Sequence, residues 1–317
     1  LLSGLLFFPV TPFAPDGALD LPALNDHVRR GVAAGAGAVF VACGTGEFHA
    51  LSPSEYVEVV GTAVRAVAGA VPVYAGVGGA VATAKELAAA AGTAGVDGLL
   101  LLPPYLVAGP VVGLVDYVRA VAASSPLPVI VYQRGSAIFS PAAAAEVARF
   151  PTVVGFKDGL GDLVQLADVI DAIRSVDGTG DFQFFNGLAT AELSQETYRK
   201  LGVELYSSAV FAFSPEIALA WYRASLADDR ETIDTLLREF YRPFGELRDR
   251  VAGYPVSLVK AGVRLRGFDV GGVRPPLVDP GPDDMAALQG ILDRGLAAVA
   301  RLADRSPVGM LADGRVR

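Results

Sequence analysis

The sequence predicts an α/β fold, a (β/α)8 TIM barrel with a C-terminal helical extension, on three observations. Eight short apolar runs recur within residues 1–214, each followed by a segment of helix length. The runs are near-continuous rather than alternating, so both faces of each strand are buried, as in a parallel sheet. From about Pro215 the alternation stops and only helical segments remain. The expected units are therefore 1–214, a barrel carrying the active site, and 215–317, a helical region packed on it. An open doubly wound sheet is the competing architecture, but the GxGxxG that would follow its first strand is absent.

Taken in order, Leu5–Val10 reads as the first strand and Leu21–Ala34 as a helix capped by Asp20. Ala38–Ala42 is the second strand. Ser52-Pro53-Ser54-Glu55 then forms a capping box, with proline at the first helical position. Val71–Ala75 and the alanine-rich helix Ala82–Ala94 follow, then Gly98–Leu102, ended by Pro103-Pro104, with helix Val111–Ala123. Val129–Tyr132 is strand five, and Ser140-Pro141 opens a helix to about Arg149. Val153–Lys157, Phe182–Phe185 and Leu205–Ser208 complete the strands, with helices Leu163–Ser175 and Ala189–Leu201 between them. Gly76-Val77-Gly78-Gly79 lacks the GK[ST] of a phosphate loop and reads as a tight strand-to-helix turn. Helices are expected at Pro215–Leu226, Arg230–Val251, Val256–Arg266 and Asp283–Asp304. Gly271–Pro282 reads as an extended link and Ser306–Arg317 as a loose tail.

Composition narrows the function. The 317 residues are 52% hydrophobic, enough for a large core, yet no apolar run reaches the ~18–20 residues of a membrane span. Leu5–Val10 is too short for a signal-peptide core and lacks a basic flank. Cys43 is the single cysteine, which with no export signal points to a reducing cytoplasm. The net charge of −8 argues against nucleic acid or anionic membrane as partners. Only His27 and His49 are present and no HExxH or CxxC occurs, so a zinc or iron site is not expected.

A barrel of this type carries its chemistry at the C-terminal strand ends. Gly44-Thr45-Gly46-Glu47 follows strand two, and its glycines let backbone N–H groups approach a carboxylate. Tyr132-Gln133-Arg134 ends strand five, Lys157 strand six, Asn186-Gly187 strand seven and Ser207-Ser208 strand eight. Lysine is rare here, with four against 22 arginines, and Lys157 alone sits at a strand tip. Arginine effectively never deprotonates, so lysine at that position suggests an amine that must lose its proton and act as a nucleophile. Simpler roles stand beside each reading. Lys157 could point into water after its strand has ended, Tyr132 could be a core tyrosine, and Arg134 could form a structural salt bridge. Asn186 could bond only the turn at Gly187, and Glu47 neighbouring backbone. Asp158 could simply stop the strand, His49 could cap or pack, and Cys43 could be a small buried residue. Ser207 and Ser208 alternate, so one faces the barrel interior and the other the helices.

These residues carry a family resemblance. Phe8-Pro9-Val10-Thr11-Pro12-Phe13, Gly44-Thr45-Gly46-Glu47, Val131-Tyr132, Gly155-Phe156-Lys157-Asp158 and Ser207-Ser208 together resemble the class I aldolase superfamily. That superfamily includes dihydrodipicolinate synthase and N-acetylneuraminate lyase. The resemblance implies a Schiff-base lysine at Lys157, a proton-relay tyrosine at Tyr132 acting through Thr45, and a carboxylate-holding loop at Gly44 and Thr45. It implies no cofactor, since the amine supplies the electron sink, and a homo-oligomer, tetramer or dimer. Departures sort the branches. Dihydrodipicolinate synthase has Gly-Thr-Thr-Gly-Glu where this chain has Cys43-Gly44-Thr45-Gly46-Glu47. Leu106 stands where that enzyme lends a tyrosine across its subunit interface. Its arginine five residues past the relay tyrosine is replaced by Ala137, while Arg134 appears two residues past. With Phe185-Asn186-Gly187 and Tyr206-Ser207-Ser208, the set most resembles the 5-dehydro-4-deoxyglucarate dehydratase branch, which forms 2,5-dioxopentanoate with loss of water and carbon dioxide. The partner this implies is a small keto-deoxy sugar diacid. Arg134 would then hold the distal carboxylate or a hydroxyl, and Asn186, Ser207 and Ser208 the hydroxyls. An imine-forming aldolase or synthase of the same superfamily, and a non-catalytic keto-acid-binding barrel, are the alternatives.

Overall fold

The computed structural model describes residues 1–105 and 107–305. Eight parallel strands close into a barrel in sequence order: β1 (Leu6–Phe7), β2 (Ala38–Val41), β3 (Val73–Val77), β4 (Gly98–Leu101), β5 (Val129–Gln133), β6 (Val153–Asp158), β7 (Gln183–Asn186) and β8 (Leu205–Ser208). Closure is made by β1 on β8, with Leu6 opposite Ser207 and Phe7 opposite Ser208. Nearly every strand side chain is buried, which is why the strands are apolar on both faces.

The connecting helices are α1 (Leu21–Ala33), α2 (Pro53–Val67), α3 (Val81–Ala94), α4 (Val111–Ala122), α5 (Pro141–Val147), α6 (Leu163–Arg174) and α7 (Gln195–Lys200). The expected caps are present. Asp20 accepts from the Ala23 N–H, Ser52 and Glu55 form the reciprocal capping box, and Ser140 accepts from the Ala143 N–H. After β8 the chain is helical: α8 (Pro215–Leu226), α9 (Arg230–Leu236), α10 (Arg242–Arg248), α11 (Tyr254–Leu265) and α12 (Pro282–Arg305). Trp221, Phe240, Leu258 and Leu292 from this part are buried in the same continuous core as the barrel residues.

Three elements differ from expectation. The first strand is two residues, not six: Pro9 has no N–H to donate to a ladder, and the Val10 N–H goes to His27 Nε2 instead. The expected helix Arg230–Val251 is interrupted by a π-turn at Leu237–Tyr241. Pro243 explains it: the ring removes one intrahelical bond and crowds the preceding turn, which widens to accommodate it. The expected helix Ala189–Leu201 begins late, as a 3-10 turn at Ala191–Leu193 followed by the short α7. Thr190 has a left-handed backbone there (φ 53°), which no helix tolerates. Leu106 and the tail Ser306–Arg317 lie outside the described residues. Among the described residues no helix is long and apolar enough to cross a membrane.

Candidate active site

A cavity of about 500 Å³ opens at the C-terminal ends of the strands, lined by Lys157, Tyr132, Thr45, Gly44, Arg134 and Ser207 among others. Six of the eight expected site residues therefore converge although the sequence scatters them from position 44 to 207. Parallel strand order brings them together: Tyr132 and Lys157 are paired neighbours on β5 and β6.

Lys157 is 5% exposed. Its Nζ sits 4.3 Å from the Phe8 ring centre and 4.6 Å from that of Tyr132. Burial pulls the amine down from 10.5 to about 7, and the Arg134 charge adds to the fall. Near neutral pH about half the amines are then unprotonated, against roughly one in 2,500 for a solvated lysine. The alternative of a lysine turned into water is not what the structure contains. Cys43 is buried and pushed up to about 12 by loss of solvent, so it stays a neutral thiol.

Tyr132 donates its hydroxyl hydrogen to the Gly187 carbonyl at 2.7 Å and accepts from Arg134 Nη1 at 3.2 Å. Burial raises its pKa, against the pull of Arg134, so the phenol keeps its proton. Among the described residues no hydrogen bond joins Tyr132 to Thr45; the partners are Gly187 and Arg134 instead. Gly187 has to be glycine. A Cβ there would lie 2.7 Å from Lys157 Cε and 2.7 Å from Tyr132 Cε2. Arg134 is exposed at the cavity wall, in a tight turn closed by reciprocal backbone bonds with Ala137. Most of its guanidinium donors remain open to a ligand. No hydrogen bond within the described residues uses the N–H groups of Gly44 or Thr45, so both remain available for a carboxylate.

Two expected contacts are corrected. Asn186 does not line the cavity. Its Nδ2 is spent on the Ala191 carbonyl, Ser194 Oγ and Gln195 Oε1, and its Oδ1 accepts from the Leu188 N–H. It builds the turn after β7. Ser208 is also turned away, donating to Glu192 Oε1 at 2.6 Å, while Ser207 lines the cavity. The strand alternation left those two serines undecided, and the structure decides it.

Other neighbours take structural roles. Asp158 is fully buried and accepts from Gln133 Nε2, the Tyr198 hydroxyl and the N–H groups of Leu160 and Gly161. It fixes the turn beyond Lys157. His49 lines the cavity but is exposed. Among the described residues the Glu47 side chain bonds no adjacent backbone; its partners come from the far C-terminal region, Lys260 and the Arg274 N–H. Sequence reasoning missed Arg248, whose guanidinium reaches the cavity wall from α10 and donates to the Ala189 carbonyl and Thr190 Oγ1, both at 2.7 Å. Nothing local in the sequence around Arg248 marks it. Among the described residues no group of histidine, cysteine, aspartate or glutamate could hold a metal ion.

A closed parallel barrel with a buried amine in its C-terminal cavity defines the chain as a barrel enzyme of the imine-forming type. More narrowly, the chain belongs to the dihydrodipicolinate synthetase family, which it matches over residues 1–294. It is 55% identical over 295 residues, 93% of this chain and 94% of the other, to a probable 5-dehydro-4-deoxyglucarate dehydratase 1 of Streptomyces avermitilis. A protein of the same description from Streptomyces coelicolor is also 55% identical, with 96% of each chain covered. Among solved structures, dihydrodipicolinate synthase from Bacillus clausii superposes with a TM-score of 0.83 at 27% identity, covering 92% of this chain and 97% of the other.

Proposed function

We propose that this chain converts 5-dehydro-4-deoxyglucarate to 2,5-dioxopentanoate, water and carbon dioxide through an imine on Lys157. The observation that carries the proposal is the Lys157 amine, buried over two aromatic rings at the cavity and lowered to about 7. The choice of substrate is supported by the relatives and by Arg134, a guanidinium open to a second carboxylate.

In this reading Lys157 Nζ adds to the ketone and, with loss of water, becomes an iminium. That cation makes the neighbouring deoxy carbon acidic. Removal of its proton gives an enamine, which expels the β-hydroxyl. The conjugated iminium that remains accepts the electron pair released as the distal carboxylate leaves as carbon dioxide. Protonation and hydrolysis then free the product and regenerate the amine. Tyr132 keeps its proton and stands beside Lys157, so it can deliver that proton to the departing oxygen of the carbinolamine. The Gly187 carbonyl and Arg134 orient the phenol. The free N–H groups of Gly44 and Thr45, with the Thr45 hydroxyl, would hold the carboxylate next to the imine. Arg134 would hold the distal carboxylate and Ser207 a hydroxyl.

Assembly as a homo-oligomer is supported by exposed apolar side chains, Tyr105, Val107, Val111 and Val112, between β4 and the first turn of α4. A cytoplasmic location is supported by the single, buried cysteine. The direct test of function is incubation with 5-dehydro-4-deoxyglucarate and product analysis. Carbon dioxide and 2,5-dioxopentanoate in equal amounts are expected. Pyruvate with no carbon dioxide would point to an aldolase instead, and binding without turnover to a non-catalytic barrel.

A further inference from the structure

Glu47 directly follows the Gly44–Gly46 loop, and its surroundings are unusual for a loop residue. Its side chain is completely buried and pairs at 2.8 Å with Lys260 Nζ of α11, equally buried and 213 residues away. Its other oxygen accepts from the Arg274 backbone N–H at 2.9 Å. Its backbone is left-handed, with φ 55°, a conformation that costs a non-glycine residue free energy and persists where the surroundings impose it. One residue earlier, the Gly46 carbonyl accepts from Thr11 Oγ1 at 2.6 Å. The Phe13 ring centre is 4.0 Å from Lys260 Nζ and 4.1 Å from the Arg274 guanidinium. A buried ion pair is a poor source of net stability, because desolvation consumes much of its attraction. What it supplies is a fixed geometry with few alternatives.

We propose that the Glu47–Lys260 pair is the positioning device of the carboxylate-holding loop: α11, through Glu47, sets where Gly44 and Thr45 stand. The proposal rests on the reading that Gly44 and Thr45 hold the substrate carboxylate. Glu47 and Lys260 are fully buried and neither lines the cavity. Their influence is therefore on binding rather than on the bond-making steps at Lys157, and a deletion shows in KM before it shows in kcat.

The test is steady-state kinetics of the full chain with 5-dehydro-4-deoxyglucarate. The main variant is the double replacement Glu47→Gln with Lys260→Met, which leaves no unpaired charge inside and so folds even if single charge removals do not. A KM raised about tenfold or more, with kcat within about threefold of wild type, is expected. Glu47→Gln alone keeps an acceptor for Lys260, and its rise in KM is expected to be smaller than that of the double variant. An unchanged KM in a folded double variant overturns the proposal, as does a fall confined to kcat or to the amount of active enzyme. Thr45→Val separates the two ideas. If it raises KM while the double variant does not, the loop binds carboxylate but the pair does not position it. If neither raises KM, the carboxylate reading falls first and the proposal with it.

Discussion

Replacing Lys157 by methionine should abolish turnover and, below neutral pH, stabilise the protein. The amine's folded value of about 7 lies below its ordinary 10.5, and burial is the leading cause. Between those two pH values the unfolded chain binds more protons, so stability rises with pH across that window. The cost is fully present below about pH 7 and gone above about 10.5. A drop from 10.5 to about 7, at about 1.4 kcal/mol per pH unit, comes to about 5 kcal/mol. Methionine has nearly the same length and no proton to lose, so it carries none of this cost. Urea unfolding of both proteins from pH 6 to pH 10 measures the difference. Cys43, the thiol whose titration Lys157 influences, stays protonated over this pH range in both folded proteins, so the comparison isolates the amine. The variant should be the more stable by about 5 kcal/mol at pH 6, and its advantage should shrink by about 1.4 kcal/mol per pH unit above 7. In the wild type, kcat/KM should climb about tenfold per pH unit below 7 and level off above it. A stability difference that does not change with pH, or a wild type that is the more stable at pH 6, would refute the desolvated-amine reasoning.

Three further outcomes are expected. Arg134→Met should raise KM for the diacid about 10- to 100-fold, while borohydride trapping with pyruvate, which has no distal carboxylate, is retained; steady-state kinetics and mass spectrometry check both. Gly187→Ala puts a methyl group 2.7 Å from Lys157 Cε, so kcat/KM should fall at least about tenfold with an unchanged circular dichroism spectrum. Glu192 is buried, and loss of solvent raises its carboxyl from 4.5 to about 7, opposed by the hydrogen bond from Ser208. The folded chain then binds the extra proton between those values, so this group's contribution to stability falls as pH rises from 4.5 to 7. Glu192→Gln should accordingly gain about 3 kcal/mol at pH 8 and nothing at pH 4, read from unfolding curves at the two pH values.

The barrel was legible because its strands are apolar on both faces, a pattern that few other folds require. Lys157 was legible because lysine is scarce in this chain and because an amine after a buried strand has one unusual use. Helix starts were legible wherever a side-chain cap sets them, as at Asp20, Ser52 and Ser140. What escaped depends on side-chain direction or on distance along the chain. Ser207 and Ser208 are chemically alike, and only the register of β8 against β1 tells them apart. Asn186 carries an amide suited to a substrate hydroxyl, yet the turn at Ala191–Gln195 uses it first. The Glu47–Lys260 pair and Arg248 connect the barrel rim to helices beyond residue 240, and no local spacing records such a contact. The break at Leu237–Tyr241 could have been anticipated from Pro243, a ring in the middle of an otherwise helical pattern.

Mass spectrometry of the protein reduced with borohydride in the presence of its keto-acid substrate asks whether the amine forms the imine. One reduced adduct per chain, on the peptide that contains Lys157, is expected, together with loss of both adduct and turnover in Lys157→Met. An adduct on Lys85, Lys200 or Lys260, or continued turnover without any adduct at Lys157, would contradict the account.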